Sequence, residues 1–244
     1  MKPTLSVFKR ELEAYFATPL AYVFICIFLF AAALVTFYWG NWFEQGRADL
    51  EQFFVFHPWL YLFLVPAVAM RLWAEEYKTG TVELIMTLPL PLHALVLGKF
   101  LAAWAFTGLA LALTFPMWIT TNVLGHPDNG VIFAGYLGSF LMAGGYLAIG
   151  SCLSAVTNNQ VIAFVLSAVV AFLFTISGLP LVTDALKAFL PGALLSTLGS
   201  LSFLAHFQAI RAGVVDLKDV VFFLSLIGVF LWINAILVDL RRAA

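Results

Sequence analysis

From residue 129 to residue 183 the chain runs 55 residues without an Asp, Glu, Lys or Arg. About 20 apolar residues in a helix cross a bilayer core once, so this run is too long for one crossing. The polar cluster Thr157-Asn158-Asn159-Gln160 divides it at a short turn. Five further uncharged runs occupy 14–43 (30 residues), 52–70 (19), 100–127 (28), 188–210 (23) and 220–238 (19). Hydrophobic residues are 63% of the chain, charged residues 10%, and mean hydropathy is +1.02. Soluble domains are about 45–50% apolar and about 25% charged. The chain is therefore expected to be an integral membrane protein, which excludes a soluble enzyme, a disordered chain and a nucleic-acid binder. The net charge of −1 points to no polyanionic partner. Cys26 and Cys152 both lie in apolar runs and suggest no disulfide framework.

The predicted fold class is all-α, a single 1–244 transmembrane domain with six spans at about 20–40, 53–70, 100–124, 131–156, 161–182 and 220–238. The 188–210 run is long enough to cross, but Pro191, Gly192, Gly199 and the serines at 196, 200 and 202 interrupt it. It is read as re-entrant, with a seventh span as the lesser alternative. Loop cations set the orientation. Eight (Lys2, Lys9, Arg10, Arg71, Lys78, Lys99, Arg241, Arg242) fall on one side and four (Arg47, Lys187, Arg211, Lys218) on the other. Both termini are thus expected to be cytoplasmic. The first apolar run exceeds the 7–15 residues of a signal-peptide core, so it is expected to stay as a span.

Two cytoplasmic elements stand outside the spans. In residues 4–17, Leu5, Phe8, Leu12 and Tyr15 follow helical spacing while Lys9, Arg10 and Glu13 fall elsewhere. A short amphipathic helix at the headgroup level and a simple basic anchor are equally weighted readings. The second element is the loop 71–99. Val82, Ile85 and Met86 sit at i, i+3 and i+4, Glu75 and Glu76 precede them, and Pro89 stops the run. A helix over 74–88 is predicted. It fits a cleft on another protein or serves as a connector packed on its own bundle, and the spacing alone slightly favours the connector.

No nucleotide-binding loop is present: Gly98-Lys99 is followed by Phe100 where Ser or Thr is required. No HExxH or GxSxG occurs. His57, His93, His126 and His206 lie near span ends or in loops and form no paired ligand set. No ionisable Asp, Glu, Lys or Arg lies inside the predicted spans, which disfavours an ion-coupled carrier.

The loop reads Glu75-Glu76…Gly80-Thr81-Val82-Glu83-Leu84…Thr87-Leu88-Pro89…Leu97-Gly98-Lys99-Phe100. That order resembles ABC-2 type transporter permeases, closest to the gliding-motility-associated permease group. The segment from Phe203 to Val220 resembles the same family's last outer segment. The resemblance implies a non-catalytic membrane subunit of an ATP-binding cassette transporter, with export as the implied direction. The alternative it allows is a mechanotransmitting permease that drives a periplasmic partner. It implies no cofactor on this chain, with ATP and Mg on a separate ATPase bound in two copies. Glu75, Glu76, Gly80, Val82, Glu83, Ile85 and Met86 would form the ATPase-coupling helix. Phe8, Lys9, Arg10 and Leu12 would belong to a connecting helix bracing it. Ser167, Ala168 and Ala171 would sit at a seam with a second or related permease copy. Further implied partners are the lipid bilayer and a periplasmic or accessory membrane protein, in a bacterial inner membrane.

Overall fold

The structure is a computed structural model that describes residues 2–82, 90–187 and 191–242. Among them every regular element is helical. Hydrocarbon offers no hydrogen-bond partner, so each crossing segment has to satisfy its own backbone, and a helix does so. The helices are α1 (Lys2–Phe16), α2 (Pro19–Leu34, continued by a wider π turn over Val35–Trp39), α3 (Glu51–Ala69) and α4 (Ala74–Thr79). They continue with α5 (Leu92–Ala112), α6 (Phe115–Leu124), α7 (Asn129–Ser154) and α8 (Gln160–Ile176). The last four are α9 (Pro180–Leu186), α10 (Gly192–Ser200), α11 (Phe203–Arg211) and α12 (Leu217–Arg242).

Five of the helical stretches are long and apolar enough to cross a membrane, and two further pairs, α8–α9 and α10–α11, are bent by 86° and 54°. The fifth predicted span, 161–182, is therefore not one straight helix. It ends at Ile176, because Gly178 and Pro180 interrupt the ladder. The third predicted span begins earlier than position 100 and breaks at Leu113–Thr114, ahead of Pro116.

The central helix is α7, which packs against α3, α5, α8, α11 and α12. Close approach is built into it. A Cβ at Gly135 would lie 2.4 Å from the Phe54 ring on α3, and one at Gly150 would lie 2.4 Å from Ala69 Cβ. Small residues let helices approach where lipid supplies no hydrophobic drive, and dispersion then does the work. Most interior hydroxyls bond back to their own helix, as Thr107 does to the Ala103 oxygen and Ser167 to the Ala163 oxygen, and a few polar groups pair across helices. Asn234 Nδ2 donates to Ser151 Oγ at 2.6 Å, and the Tyr146 hydroxyl lies 2.6 Å from Thr175 Oγ1.

Contacts sort the helix ends into two groups. At one end Lys99 meets Glu11 and Glu76, and Arg241 reaches Asn158 and the Tyr77 ring. At the other end Arg211 lies 4.0 Å from Glu51, and Gly213 packs on Val131. Between them α11 covers only half the bundle. Its cap Ser202 donates to the Thr175 backbone oxygen at 3.1 Å, and the Phe203 ring sits 4.7 Å from Tyr146 in the middle of α7. Its far end, Ile210, rests against Gly138. Nine helical residues rise about 14 Å, roughly half the apolar thickness.

Candidate functional site

The candidate site is the knot where α1, α4, α5 and α7 meet at the first of these ends. It starts from the short α4. Trp73 offers no side-chain cap of its own. The cap comes instead from α7: Ser154 Oγ accepts from the backbone N–H of Trp73 at 3.1 Å and of Ala74 at 3.0 Å, and donates to the Met70 oxygen at 2.9 Å. A hydroxyl some 80 residues away thus satisfies the orphan donors of the helix start.

Lys99 is the charge at the centre. Its side chain is 2% exposed. Nζ lies 2.5 Å from Glu76 Oε1, 3.3 Å from Glu11 Oε1 and 5.4 Å from the centre of the Trp73 ring. A buried ammonium costs several kcal/mol unless paired, and here two carboxylates and an aromatic face offset that cost. Burial would raise the Glu11 carboxyl, but Lys99 and Arg10 outweigh it and hold it below its ordinary value. Burial wins at Glu76, whose carboxyl is raised although Lys99 pulls it down. Glu76 Oε2 is buried with no hydrogen-bond partner among the described residues. The knot carries one more carboxylate than it has ammonium. Beside it Arg71 donates to both oxygens of Glu75, at 2.6 and 3.2 Å. A cavity of about 240 Å³ opens between these groups, lined by Glu11, Tyr15, Arg71, Glu75, Glu76 and Lys99.

Helix α1 is set onto α5 by shape. A Cβ at Gly98 would lie 2.6 Å from Val7 Cγ1, so glycine there lets the two backbones close. Tyr15 stacks on Phe106 with ring centres 4.9 Å apart. The buried side of α1 is centred on Val7, while Leu5, expected on the apolar face, is exposed.

Several expectations change here. The helix predicted over 74–88 is interrupted after Thr79, because Gly80 takes a left-handed conformation with φ of 71°; residues 81–82 are helical again, and 83–88 lie outside the described residues. Within the chain Gly80 supplies the left-handed turn that closes α4, and a Cβ there would meet nothing within 4 Å among the described residues. Glu75 and Glu76, expected to face a partner, are engaged by Arg71 and Lys99 of the same chain. Val82 is half-buried, whereas Glu83, Ile85 and Met86 lie outside the described residues. On α1, Phe8 and Leu12 are half-buried, Lys9 is exposed, and Arg10 pairs with Glu11 at 2.6 Å.

Ser167 and Ala171, expected at a seam, are fully buried inside the chain, and Ala168 is half-buried. The face of α8 that is exposed carries Val165, Leu166, Val169, Phe172 and Leu173. Glu11, Lys99, Ser154 and Arg241 complete the knot without having been singled out as site residues. Lys99 stands in the Leu-Gly-Lys-Phe motif, but its burial has no signature in sequence. Among the described residues no group of three or more His, Cys, Asp or Glu could hold a metal ion.

A family model described as ABC-2 family transporter protein matches residues 60–238. The chain is also similar to heme exporter protein B of Paracoccus denitrificans (strain Pd 1222), 44% identical over 48 residues, which is 20% of this chain and 22% of that protein. Against heme exporter protein B of Escherichia coli (strain K12) it is 41% identical over 56 residues, 22% of this chain and 26% of that protein. The chain spans about a quarter of the length of the curated relatives it matches.

Proposed function

This chain belongs to the ABC-2 family of transporter proteins, and from that premise we propose that it is an exporter permease driven by a separate ATPase. The observation that carries the proposal is the anchoring of α4. Its start is capped by Ser154 of α7, its Glu76 is tied to Lys99 of α5, and its Tyr77 lies under Arg241 of α12. A displacement of α4 therefore reaches three crossing helices as one rigid shift. The segment shared with proteins named heme exporter favours export as the direction of transport.

In this reading the segment 74–88 touches the ATPase, ATP and Mg stay on that partner, and α1 braces the contact. Six crossings, with α11 dipping in and returning, leave both termini cytoplasmic in a bacterial inner membrane. Two ATPases closing on each other call for two permease copies related by a two-fold axis. The seam then uses the exposed apolar faces of α2 and α8 and not the buried Ser167 and Ala171. The test is co-purification of the tagged chain with its ATPase, together with chain-stimulated ATP hydrolysis. Ile85→Asp puts an unpaired charge into the proposed contact and should abolish both. If the folded variant keeps both, the coupling assignment falls.

A further inference from the structure

His206 on α11 has both ring nitrogens facing atoms that accept hydrogen bonds. Nδ1 lies 2.6 Å from Asp219 Oδ1 on α12, and Nε2 lies 2.8 Å from the backbone oxygen of Ser200 at the end of α10. A neutral imidazole has one N–H, and a carbonyl oxygen has none. The two contacts therefore need two protons, one on Nε2 and one between Nδ1 and Oδ1. The setting suits that charge. Asp219 stands in the first turn of α12, where the helix dipole favours an anion, and Ser200 ends α10, where it favours a cation. The imidazole ring stacks on Phe222 with centres 3.9 Å apart, and Asp219 is 2% exposed.

Other charges nearby are already engaged. Lys218, next to Asp219, is 3.0 Å from Asp216, and Arg211 at the far end of α11 faces Glu51. Helices α8 and α10, which pack around α11, carry no charged side chain. If one proton leaves, either a lone pair on Nε2 meets the Ser200 oxygen or a lone pair on Nδ1 meets the carboxylate. Both arrangements repel.

We propose that His206 and Asp219 form a proton-dependent latch fastening the half-helix α11 and the end of α10 to α12, closed when doubly protonated and open when one proton is lost. The latch is a property of this chain alone. Only its placement on the outer side rests on the proposed transport topology.

The test needs neither the ATPase nor a substrate. Backbone hydrogen–deuterium exchange of 192–212 is compared between wild type, His206→Ala and Asp219→Asn at matched pH from about 5 to 8, the range in which histidine changes charge. Matching the pH cancels the intrinsic exchange rate. Wild type should be about tenfold better protected than His206→Ala at the acid end, the effect of one charged hydrogen bond, and the ratio should fall towards one as pH rises. In Asp219→Asn the amide can donate to Nδ1 while Nε2–H still donates to Ser200. Its ratio to His206→Ala should therefore stay constant with pH. Nitrogen-15 NMR of the wild-type ring gives an answer even if a variant misfolds: both nitrogens should carry protons at the acid end, one being lost in step with protection. A wild-type ratio that does not change with pH, or a ring with one N–H throughout, overturns the latch.

Discussion

The guanidinium carbon of Arg241 lies 4.7 Å from the centre of the Tyr77 ring, so the end of the last helix rests on the α4 element. Arg241 also donates to Asn158 Oδ1 at 2.8 Å and to the Val156 oxygen. One side chain thus joins α12, the α7–α8 turn and α4. At its other end α12 carries Asp219 beside His206. The helix is a strut between the proposed ATPase contact and the half-helix α11.

Arg241→Ala is expected to leave the fold nearly intact, because an exposed cation–π contact contributes only about 0.5–1 kcal/mol. ATPase co-purification should persist while stimulated hydrolysis drops. Arg241→Lys should not restore it, since an ammonium cannot make the forked contact. Unchanged stimulation in the Ala variant would remove the strut from the coupling route.

Glu76→Lys sets a second ammonium beside the buried Lys99. Breaking a buried pair costs about 3–5 kcal/mol. The purified chain should unfold well below wild type, so lost ATPase binding in this variant would report folding and not the interface. Glu76→Gln keeps a hydrogen-bond acceptor and should cost far less. Equal unfolding temperatures for the two would contradict the buried geometry.

The two carboxylates of the knot respond to pH with opposite sign. Glu76 is raised in the folded chain, so its cost to stability is present at neutral pH and is relieved as pH falls through its folded value. Glu11 is lowered, so its contribution is present above the ordinary carboxylate range and is lost as pH falls below that range. Unfolding temperature should rise slightly in mild acid and then fall. Glu76→Gln should abolish the rise and keep the fall, which a pH series of thermal unfolding will show.

Ser154→Ala leaves the N–H groups of Trp73 and Ala74 buried without their acceptor. The expected cost is about 1–3 kcal/mol. Amide exchange should quicken around residues 71–79, with the crossing part of α7 unaffected. Exchange that quickens along all of α7 would mean that Ser154 holds that helix and not the start of α4.

Cysteines at the exposed positions Lys9 and Lys78 should react with an impermeant maleimide only after the membrane is opened. Cysteines at Glu44 and Asp184 should react in intact cells. Labelling of Lys78→Cys from outside would invert the proposed orientation.

Sequence alone determined that this chain is a stack of membrane helices, because a long uncharged run has no other place to satisfy its backbone and bury its side chains. The break at residues 157–160 and the amphipathic start were legible for a related reason: turn chemistry and helical spacing act over a few residues. Asn159 indeed caps α8 through Val161 N–H at 2.9 Å. Tertiary structure decided what depends on atoms far apart in the chain. Small Ser167 and Ala171 looked suited to a seam, yet packing within one chain buries both, Ser167 beside Gly150 of α7. Glu76 looked free for a partner, yet Lys99, 23 positions later, lies against it. Nor could spacing show that His206 meets Asp219 and Ser200 at once, because that contact needs the bend between α10 and α11 and the start of α12 in one place. Pattern sets which groups must leave water, whereas packing sets which of them meet.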